Sequence, residues 1–433
     1  MTAPRRGVRR VFLDTTPLRL DRDYRWLWAG QSVSGIGNQV TRLALPYQVY
    51  VLTGSTLAIA GLTAVQLVPI LLFSLGAGSV ADAVDRRRLL LATQLGLMAC
   101  SATLLLLALT PAPSLLALFV VAFLAAGIGS IDQPARSSAV PRLVPPGRLP
   151  AAIALNQLNY QIASVVGPAV AGVLIATVGL AGAYGLDLVS FAASLVGLLA
   201  IAPISPIASA ARPGLAAVRE GLRFVLSRRV ILSTFVIDLD AMIFGMPTSL
   251  FPVLALDVFH AGPTGLGLLG AAPAVGAVLG ALLSGWVSSV RRVGQAVIVA
   301  VAMWGVAIVL FGLSTFSFAL ALVFLAVAGA ADVLSAVFRS TIVQLGAPDE
   351  LRGRVSSIHI LVVTSGPRLG DIEAAAAAAV IGAQASVISG GVLCIVGVAV
   401  VARLFPELRR HVREPAAAPP GERPLGVSSL DSG

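Results

Sequence analysis

The chain has 433 residues, of which 57% are apolar and 12% are charged, and its mean hydropathy is +0.93. A soluble domain has about 45–50% apolar and about 25% charged residues. This composition therefore argues against a soluble enzyme, a nucleic-acid-binding domain, a disulfide scaffold and a disordered chain. A membrane-spanning helix needs about 20 apolar residues, so twelve spans, roughly 240–300 residues, would fit with short loops left over.

Twelve apolar runs, bounded by glycine, proline or charge clusters, follow an arginine-rich N-terminal segment. The first run is too long for a signal-peptide core and many more follow, so no cleaved signal is predicted. The runs are continuous rather than alternating, which favours helices over strands. In chain order they are Trp26–Leu52, Leu57–Val80, Leu89–Leu109, Leu115–Ala139, Ala151–Ala176, Leu180–Ile201, Val230–Leu256, Leu266–Val287, Ala296–Leu313, Phe318–Leu345, Val355–Ile381 and Val387–Leu404.

The arginines predict the orientation of these helices. The chain contains no lysine, so its 30 basic residues are all arginine. Nearly all of them lie at the termini or in the connections that follow even-numbered runs, and the connections after odd-numbered runs contain none. The positive-inside rule then places both termini and the even connections in the cytoplasm, for a protein of the plasma membrane. The net charge of +10 is spread over one membrane face, which argues against nucleic acid as a partner.

The longest even connection, Pro203–Arg229, divides the runs six and six, and the two halves resemble each other. Pro69 corresponds to Pro273, and Arg136 to Arg339, at nearly the same offset. Transporters built from two parallel repeats hold their substrate between the halves near the bilayer midplane. We therefore predict an N-terminal cytoplasmic segment (1–23), a six-helix bundle (24–203), a linker with an amphipathic helix on the inner leaflet (204–229), a second bundle (230–405) and a disordered cytoplasmic tail (406–433).

The connection between the second and third predicted helices carries the most specific motif. Its sequence over 78–88, GSVADAVDRRR, resembles the signature loop of the major facilitator superfamily, and the resemblance covers roughly residues 20–405. It departs from that loop at Ala83, where a basic residue is common, and at Asp85, where glycine is common. The loop positions are Gly78, Asp82, Asp85, Arg86 and Arg87. An aspartate at a helix end could pair with arginine or cap a helix of the other half, which would favour one access state.

The fifth predicted helix carries a second motif, Gly167-Pro168 followed by Gly172. It resembles the motif of exporters that exchange substrate for protons. Small residues allow close helix packing and a proline can kink the helix. The alternative is ordinary glycine and proline content in a membrane helix. The arginine-containing motif that many drug/proton antiporters carry in helix 4 is not visible, which weakens the drug-antiporter interpretation.

Within the superfamily, the chain is similar to the enterobactin-exporter and related drug-efflux group, over segments such as 250–255, 267–273 and 366–371. The resemblance implies a monomeric, proton-coupled exporter of a siderophore or hydrophobic drug-like molecule that works by alternating access. The alternatives are a proton-coupled importer or a uniporter of a small metabolite. A membrane protein without transport activity is the alternative that the sequence favours least. No enzyme, cofactor or metal site is predicted, because a chain without lysine has no phosphate-binding loop of the Walker type and its histidines and cysteines form no catalytic set.

Charged residues inside a bilayer cost at least about 2.5–3.5 kcal/mol each, which makes them functional candidates. Asp238 and Asp240 of the seventh helix have no basic residue within a turn. Burial would disfavour their charged forms, so either could carry protons, with Arg42 of the first helix as transient partner. The alternative is a fixed ion pair that joins the halves.

The eleventh helix carries Arg368, Asp371 and Glu373. These three charges either form a gate contact with the second and fifth helices or belong to the proton-coupling path.

The remaining candidates allow structural as well as functional explanations. Two possible charge pairs, in the fourth and tenth helices, could be local ion pairs, and Asp187 is expected near the outer end of the sixth helix, open to solvent. Three further side chains could line a substrate cavity, although packing would also explain them. The pairs are Asp132 with Arg136 and Asp332 with Arg339, and the cavity candidates are Asn38, Tyr47 and Phe244.

Overall fold

The computed structural model describes residues 14–204 and 215–412, with the side chains of 74–83 and a few other residues left out. All regular secondary structure in these ranges is helical. The long helices are α1 (Arg22–Thr53), α2 (Thr56–Ala83), α3 (Arg86–Leu109), α4 (Leu115–Leu143), α5 (Leu149–Thr177), α6 (Leu180–Leu199), α7 (Arg229–Phe244), α8 (Gly262–Leu282), α9 (Val293–Leu313), α10 (Phe318–Gly346), α11 (Asp349–Ile381) and α12 (Ala383–Leu404).

Ten helical segments in the described part of the chain are long and apolar enough to cross a membrane. The helices α1 and α11 are not among them, although they have 32 and 33 residues. Both carry more polar and charged residues than the other long helices. The prediction of an all-helical membrane protein is confirmed at this level.

Short polar side chains determine where several helices begin. The hydroxyls of Ser55, Ser114 and Ser317 accept hydrogen bonds from backbone N–H groups in the first turns of α2, α4 and α10. Such caps satisfy donors that would otherwise lack a partner at the helix start. At the end of α1, Gly54 adopts a left-handed conformation with φ of 59°, which is the usual helix stop at a glycine.

The helices form two bundles, α1–α6 and α7–α12. In the first, α6 packs against α1 and α3, and α2 packs against α4. In the second, α8 packs against α10, and α9 packs against both α10 and α12. The extensive contacts between the bundles are α5 with α8 and α2 with α11. The two related halves are thus joined by two helix pairs.

The seventh predicted run, Val230–Leu256, is not one continuous helix. The helix α7 ends at Phe244, and a 3₁₀ turn over Thr248–Leu250 and a π-helical turn over Leu254–Val258 continue the segment. Pro247 provides no N–H donor for a continuous helix. The N–H of Ser249, which such a helix would direct to the Gly245 carbonyl, donates to Asp371 instead. The Gly245 carbonyl accepts a hydrogen bond from Trp304 Nε1 at 2.7 Å. The sequence prediction was wrong about continuity here, because hydropathy does not register a break inside an apolar run.

The connector between the halves contains a helix over Leu215–Ser227. Its Val225 is buried with Ile231 of α7, Val343 of α10 and Val355 of α11. The other described apolar side chains of this helix include Leu226, which is exposed. The connector helix is therefore docked on the second bundle by one face.

Candidate functional site

Glycines make a close contact between the two halves. A Cβ atom added to Gly172 of α5 would lie 2.8 Å from Gly267 Cα of α8 and 2.8 Å from the Pro263 carbonyl oxygen. Real Cβ atoms do not approach so closely, so both positions require glycine. Gly167, one turn and a half earlier, lies against Ile36 and Gln39 of α1 in the same way. The motif Gly167-Pro168 with Gly172 thus lies where α5 packs against α1 and α8.

Two side-chain hydrogen bonds also join the halves. Tyr50 at the end of α1 donates to Asp257 in the segment that follows α7. Arg368 of α11 donates from Nη1 to Gln66 Oε1 of α2 at 2.8 Å. Tyr50, Asp257 and the pair Gly172–Gly267 all lie toward the ends of their helices that lead into arginine-free connections. We call this end of the molecule the closed end, and the end that carries the arginine-rich connections the arginine-rich face.

The described ion pairs at the arginine-rich face stay within one half. Arg148 pairs with Asp21 at 2.8 Å, and Arg229 with Glu407 at 3.1 Å. The described side-chain contacts between the halves therefore lie at the closed end and, for Arg368 with Gln66, nearer the middle of the helices.

The signature loop contributes contacts within the first half. Asp85 caps α3 by accepting from the backbone N–H of Arg88 at 2.9 Å. The buried Arg86 donates to Ser138 Oγ of α4 at 3.0 Å. Arg87 donates to carbonyl oxygens in the last turn of α6, where the helix dipole favours a cation. Gly78 and Asp82 lie outside the described side chains, so the predicted latch to the other half stays a prediction.

Asn38, a predicted cavity residue, and Arg42, a predicted proton-coupling residue, are both exposed on α1. Asn38 and Arg42 lie four residues apart on one exposed strip of the helix, and the adjacent Leu43 reaches Gly270 of α8. Tyr47 packs against buried cores in both halves, so it lies at their junction. Phe244 is packed against the core of the second half.

A charge cluster built around a buried ion pair occupies the second half. Arg339 Nη2 of α10 lies 2.8 Å from Asp238 Oδ1 of α7 and 3.9 Å from Asp332 Oδ1 of α10. The side chains of Arg339 and Asp238 are only 3% and 1% exposed. The imidazole of His359 of α11 lies close enough to interact electrostatically with both, and it packs edge-on against Phe235. No sequence pattern indicated a role for His359, and Asp238 was predicted to be an unpaired carboxylate.

The geometry corrects that interpretation of Asp238. Its partner is Arg339, which belongs to the same half rather than to α1, so the pair does not join the halves. Asp240, two residues on, has a different environment. A Cβ added to Gly397 of α12 would lie against Asp240 Oδ1, and Asp240 Oδ2 is buried without a hydrogen-bond partner. Asp240 therefore points toward α12 and away from Arg339.

The three charged residues of α11 lie in different environments. Asp371 Oδ1 accepts from Thr248 Oγ1 at 2.6 Å and from the backbone N–H of Ser249 at 2.7 Å. This carboxylate therefore fastens α11 to the break after α7. Arg368 makes the contact to α2 that the sequence predicted as one alternative. Glu373 is half-buried on another face of the helix.

Buried carboxylates of the first half differ from their counterparts in the second. Asp132 and Arg136 form an i, i+4 ion pair at 2.6 Å inside α4, and Thr93 of α3 also donates to Asp132. Asp187 of α6 is only 1% exposed and accepts hydrogen bonds from Thr41 of α1 and Ser101 of α3 at 2.7 and 2.6 Å. The expectation of a solvated Asp187 was wrong, since neutral hydroxyls, which no charge pattern reveals, enclose it.

Comparison with known proteins agrees with this architecture. The family model described as transmembrane secretion effector matches residues 14–421. The chain belongs to this family of major facilitator transporters. It is 28% identical over 411 residues to the Enterobactin exporter EntS of Citrobacter koseri, which covers 94% of this chain and 98% of the relative. It is also 28% identical to the protein of the same name from Shigella boydii, over 93% of this chain and 96% of that relative. The protein is thus a multi-pass membrane transporter of small molecules, similar to the enterobactin-exporter group.

Solved structures share the fold at low sequence identity. A POT family transporter in complex with 5-aminolevulinic acid superposes with a TM-score of 0.73 at 13% identity, over 90% of this chain and 97% of the other. A bacterial homologue of the iron transporter ferroportin, in an inward-facing state, superposes with a TM-score of 0.67 at 17% identity, over 90% of this chain and 99% of the other. At these identities the likeness establishes the fold alone.

Proposed function

We propose that this protein is a proton-coupled secondary exporter of a siderophore-like small molecule in the plasma membrane. The observation that carries the proposal is the close packing of two related halves at the closed end, where α5 meets α8 and Tyr50 bonds to Asp257. We infer that a cleft between the halves opens at the arginine-rich face. The names of the relatives, which are enterobactin exporters, support export and a siderophore as cargo. Hydrophobic drug-like molecules are a second class of cargo, suggested by the sequence resemblance.

The proposed topology has twelve spans, formed by α1–α12, with the segment from Arg229 to Val258 as the seventh. The polar residues of α1 and α11 suit a span that faces a cleft, because charges in a membrane are accommodated in the bundle interior or a water-filled cavity. The arginine distribution favours a cytoplasmic arginine-rich face and cytoplasmic termini. In this orientation the cleft opens to the cytoplasm, where an exporter loads its cargo, and the working unit is a monomer.

Alternating access would require the α5–α8 contact to separate while the arginine-rich face closes. The break after α7 supports such a movement, since discontinuous helices are typical of transporter sites near the midplane. The contact of Asp371 with Thr248 and Ser249 would make α11 follow the segment beyond the break. The signature loop, with Asp82, is proposed to form the corresponding contact at the arginine-rich face in the other state.

Proton coupling is proposed for two sites in the second half. In the first, Asp238 and Asp332 share the single positive charge of Arg339, so one carboxylate remains uncompensated and a proton would neutralise it. In the second, Asp240 has a buried oxygen without a partner, and burial of an unpaired carboxylate favours its protonated form. Glu373 is the remaining candidate on α11.

Everted membrane vesicles test the proposal, because their arginine-rich face would be outside. Enterobactin and a panel of drugs would be added outside, with an imposed proton gradient that is acidic inside. We expect accumulation that a protonophore abolishes. Accumulation that is insensitive to the protonophore would refute proton coupling, and accumulation only in right-side-out vesicles would favour the importer.

Two carboxylate variants distinguish between the two proposed proton-binding sites. Asp240→Asn removes no ion pair, so we expect it to leave membrane protein level and cargo binding intact while gradient-driven accumulation is lost. Asp238→Asn leaves Arg339 with a weaker partner and should also lower thermal stability. The matched control is Glu220→Gln in the connector helix, which removes an exposed carboxylate that pairs with Arg354. Full gradient-driven transport in both aspartate variants would exclude these two carboxylates as proton carriers.

A further inference from the structure

An apolar groove with a volume of about 370 Å³ runs along the second half between α9 and α10. It begins at the 3₁₀ turn Ser284–Ser289, which connects α8 to α9. The apolar side chains that line it include Trp286, Ala296, Val299, Met303, Leu334 and Phe338. The rings of Trp286 and Phe338 lie 6.2 Å apart, and tryptophan is typical of the membrane interface. We call this surface the α9–α10 groove.

The α9–α10 groove faces away from the other half. The helix α9 packs against α7, α10 and α12, which all belong to the second half. Val299 and Met303, one turn apart on α9, are 59% and 44% exposed. From Arg292 to Met303 the helix rises about 16 Å, which is close to one leaflet of the hydrocarbon core, about 15 Å. The groove therefore has the length of an acyl chain of one leaflet.

The end of the groove at the arginine-rich face is polar and basic. Arg292 and Gln295 line this end. Arg291 and Arg292 are both exposed directly before α9, and the segment 284–303 contains no acidic residue. A negatively charged group at this end would thus meet positive charge on the segment that forms most of the groove.

A second basic segment packs beside the first. The short helix Pro406–Arg410 follows α12 and contacts α9, where the backbone N–H of Gly294 donates to the His411 carbonyl oxygen at 3.4 Å. Arg409 and Arg410 of the short helix are exposed. The four exposed arginines at this end, which we call the arginine patch, are Arg291, Arg292, Arg409 and Arg410.

The two halves use matching arginine pairs differently. Arg86 and Arg87 occupy the positions of the repeat that correspond to Arg291 and Arg292. In the first half, Arg86 donates to Ser138 and Arg87 donates to carbonyl oxygens of α6. The first pair is therefore used inside the protein, whereas the second pair is presented at the surface.

The combination of groove and patch matches one class of molecule. Glu407, the acidic residue of the short helix, is already paired with Arg229 at 3.1 Å. Basic pockets between membrane helices bind anionic lipid headgroups, and guanidinium groups bind phosphate oxygens with charge-assisted hydrogen bonds. Phosphatidylcholine also has a phosphate, but its choline cation cancels the charge, so an anionic headgroup fits the patch better.

We propose that the α9–α10 groove and the arginine patch together bind an anionic phospholipid from the leaflet at the arginine-rich face. An acyl chain would lie along α9, and the phosphate would lie at Arg292. The lipid would hold α9, α10 and the short helix together. Because Phe338 of the groove precedes Arg339, it would also support the helix that carries the buried ion pair. This site is separate from the proposed proton sites and does not depend on the proposed cargo.

Photolabelling of the full-length protein in phosphatidylcholine nanodiscs tests the site. The probes, added at low molar fraction, are phosphatidylglycerol and phosphatidylcholine that carry the same diazirine group on an acyl chain, and mass spectrometry locates the labelled residues. We expect the phosphatidylglycerol probe to label 295–303 at least about fivefold more, since a basic residue near an anionic headgroup contributes roughly that factor. Unlabelled phosphatidylglycerol should displace this probe better than unlabelled phosphatidylcholine by a similar factor.

Three variants examine the two parts of the site. The double variant Arg291→Gln with Arg292→Gln should reduce phosphatidylglycerol labelling to the phosphatidylcholine level. Val299→Trp fills the groove, so it should lower labelling by both probes. The matched control is Arg88→Gln, which removes an exposed arginine at the start of α3 and should change neither signal. Thermal melting shows that each variant is folded.

Three results would overturn the inference. Equal labelling and equal competition by the two lipids would mean an unselective lipid contact. A preference for phosphatidylglycerol that persists in the folded double variant would mean that the arginine patch does not bind the headgroup. Undiminished labelling of folded Val299→Trp protein would mean that the chain does not lie in the groove.

Discussion

The glycine contact at the closed end allows a prediction about the balance between access states. Gly172→Ala would place a Cβ atom 2.8 Å from Gly267 Cα, whereas ordinary contact begins at 3.4 Å. The helices α5 and α8 would have to separate by at least about 0.6 Å, and the Pro263 carbonyl, which is backbone, could not move aside as a side chain could. Overpacking of this kind costs about 1–3 kcal/mol. The cost falls only on the state in which the two helices touch.

A penalty of about 1–3 kcal/mol changes an equilibrium by roughly 5- to 150-fold. We therefore expect Gly172→Ala to increase the population that is open at the closed end by a factor in this range. The measurement is the labelling rate of a cysteine introduced at the cleft position Asn38, with a membrane-impermeant maleimide added from the side opposite the arginines. The native Cys100 and Cys394 are buried and provide a low background.

Gly185→Ala in α6 is the control, because a Cβ atom at this position meets nothing within 4 Å. It makes the same chemical change in a helix of the same half, so it should leave the labelling rate unchanged. If Gly172→Ala does not raise the rate, or Gly185→Ala raises it equally, the α5–α8 contact does not control opening and the reasoning fails.

Two further contacts lead to predictions. Arg339→Gln leaves Asp238 buried without its cation, so the free energy of unfolding should fall by about 3–5 kcal/mol, seen as a lower melting temperature in detergent. The double variant with Asp238→Asn should recover most of the loss, and failure to recover would mean that the two residues are not coupled. Tyr50→Phe removes the bond to Asp257, worth about 0.5–1.5 kcal/mol, and should raise the same labelling rate roughly 2- to 10-fold. Tyr160→Phe, at an exposed side chain, should have no effect, and equal rates in both variants would contradict a role for Tyr50 in closure.

The helices were predicted well from the sequence because few backbone conformations are possible inside a membrane. Backbone polar groups in lipid must be satisfied within the segment, so an apolar run of sufficient length becomes a helix. The break after α7 escaped this reasoning. Gly245 and Pro247 lie within a run whose hydropathy is uninterrupted, and the Trp304 bond that satisfies the freed carbonyl comes from a helix distant in sequence.

The candidate site was predicted residue by residue but not in its pairings. Asp238 and Arg339 were both singled out, yet their contact depends on how α7 and α10 are rotated about their axes, which hydropathy alone does not determine. The local pair Asp132 with Arg136 was visible, because an i, i+4 spacing places both on one helix face. Asp187 was misjudged since its partners are uncharged hydroxyls on two other helices.

Corresponding arginines of the two related halves lie in different electrostatic environments. Arg136 and Arg339 occupy matching positions in α4 and α10, but Arg136 is paired within its own helix whereas Arg339 binds α7. A pair within one helix moves as a unit, so it keeps its distance when helices shift. A pair between two helices changes when their angle changes, and the second carboxylate, Asp332 at 3.9 Å, could then take over the cation. This asymmetry is why a link between protonation and helix movement is expected in the second half rather than the first.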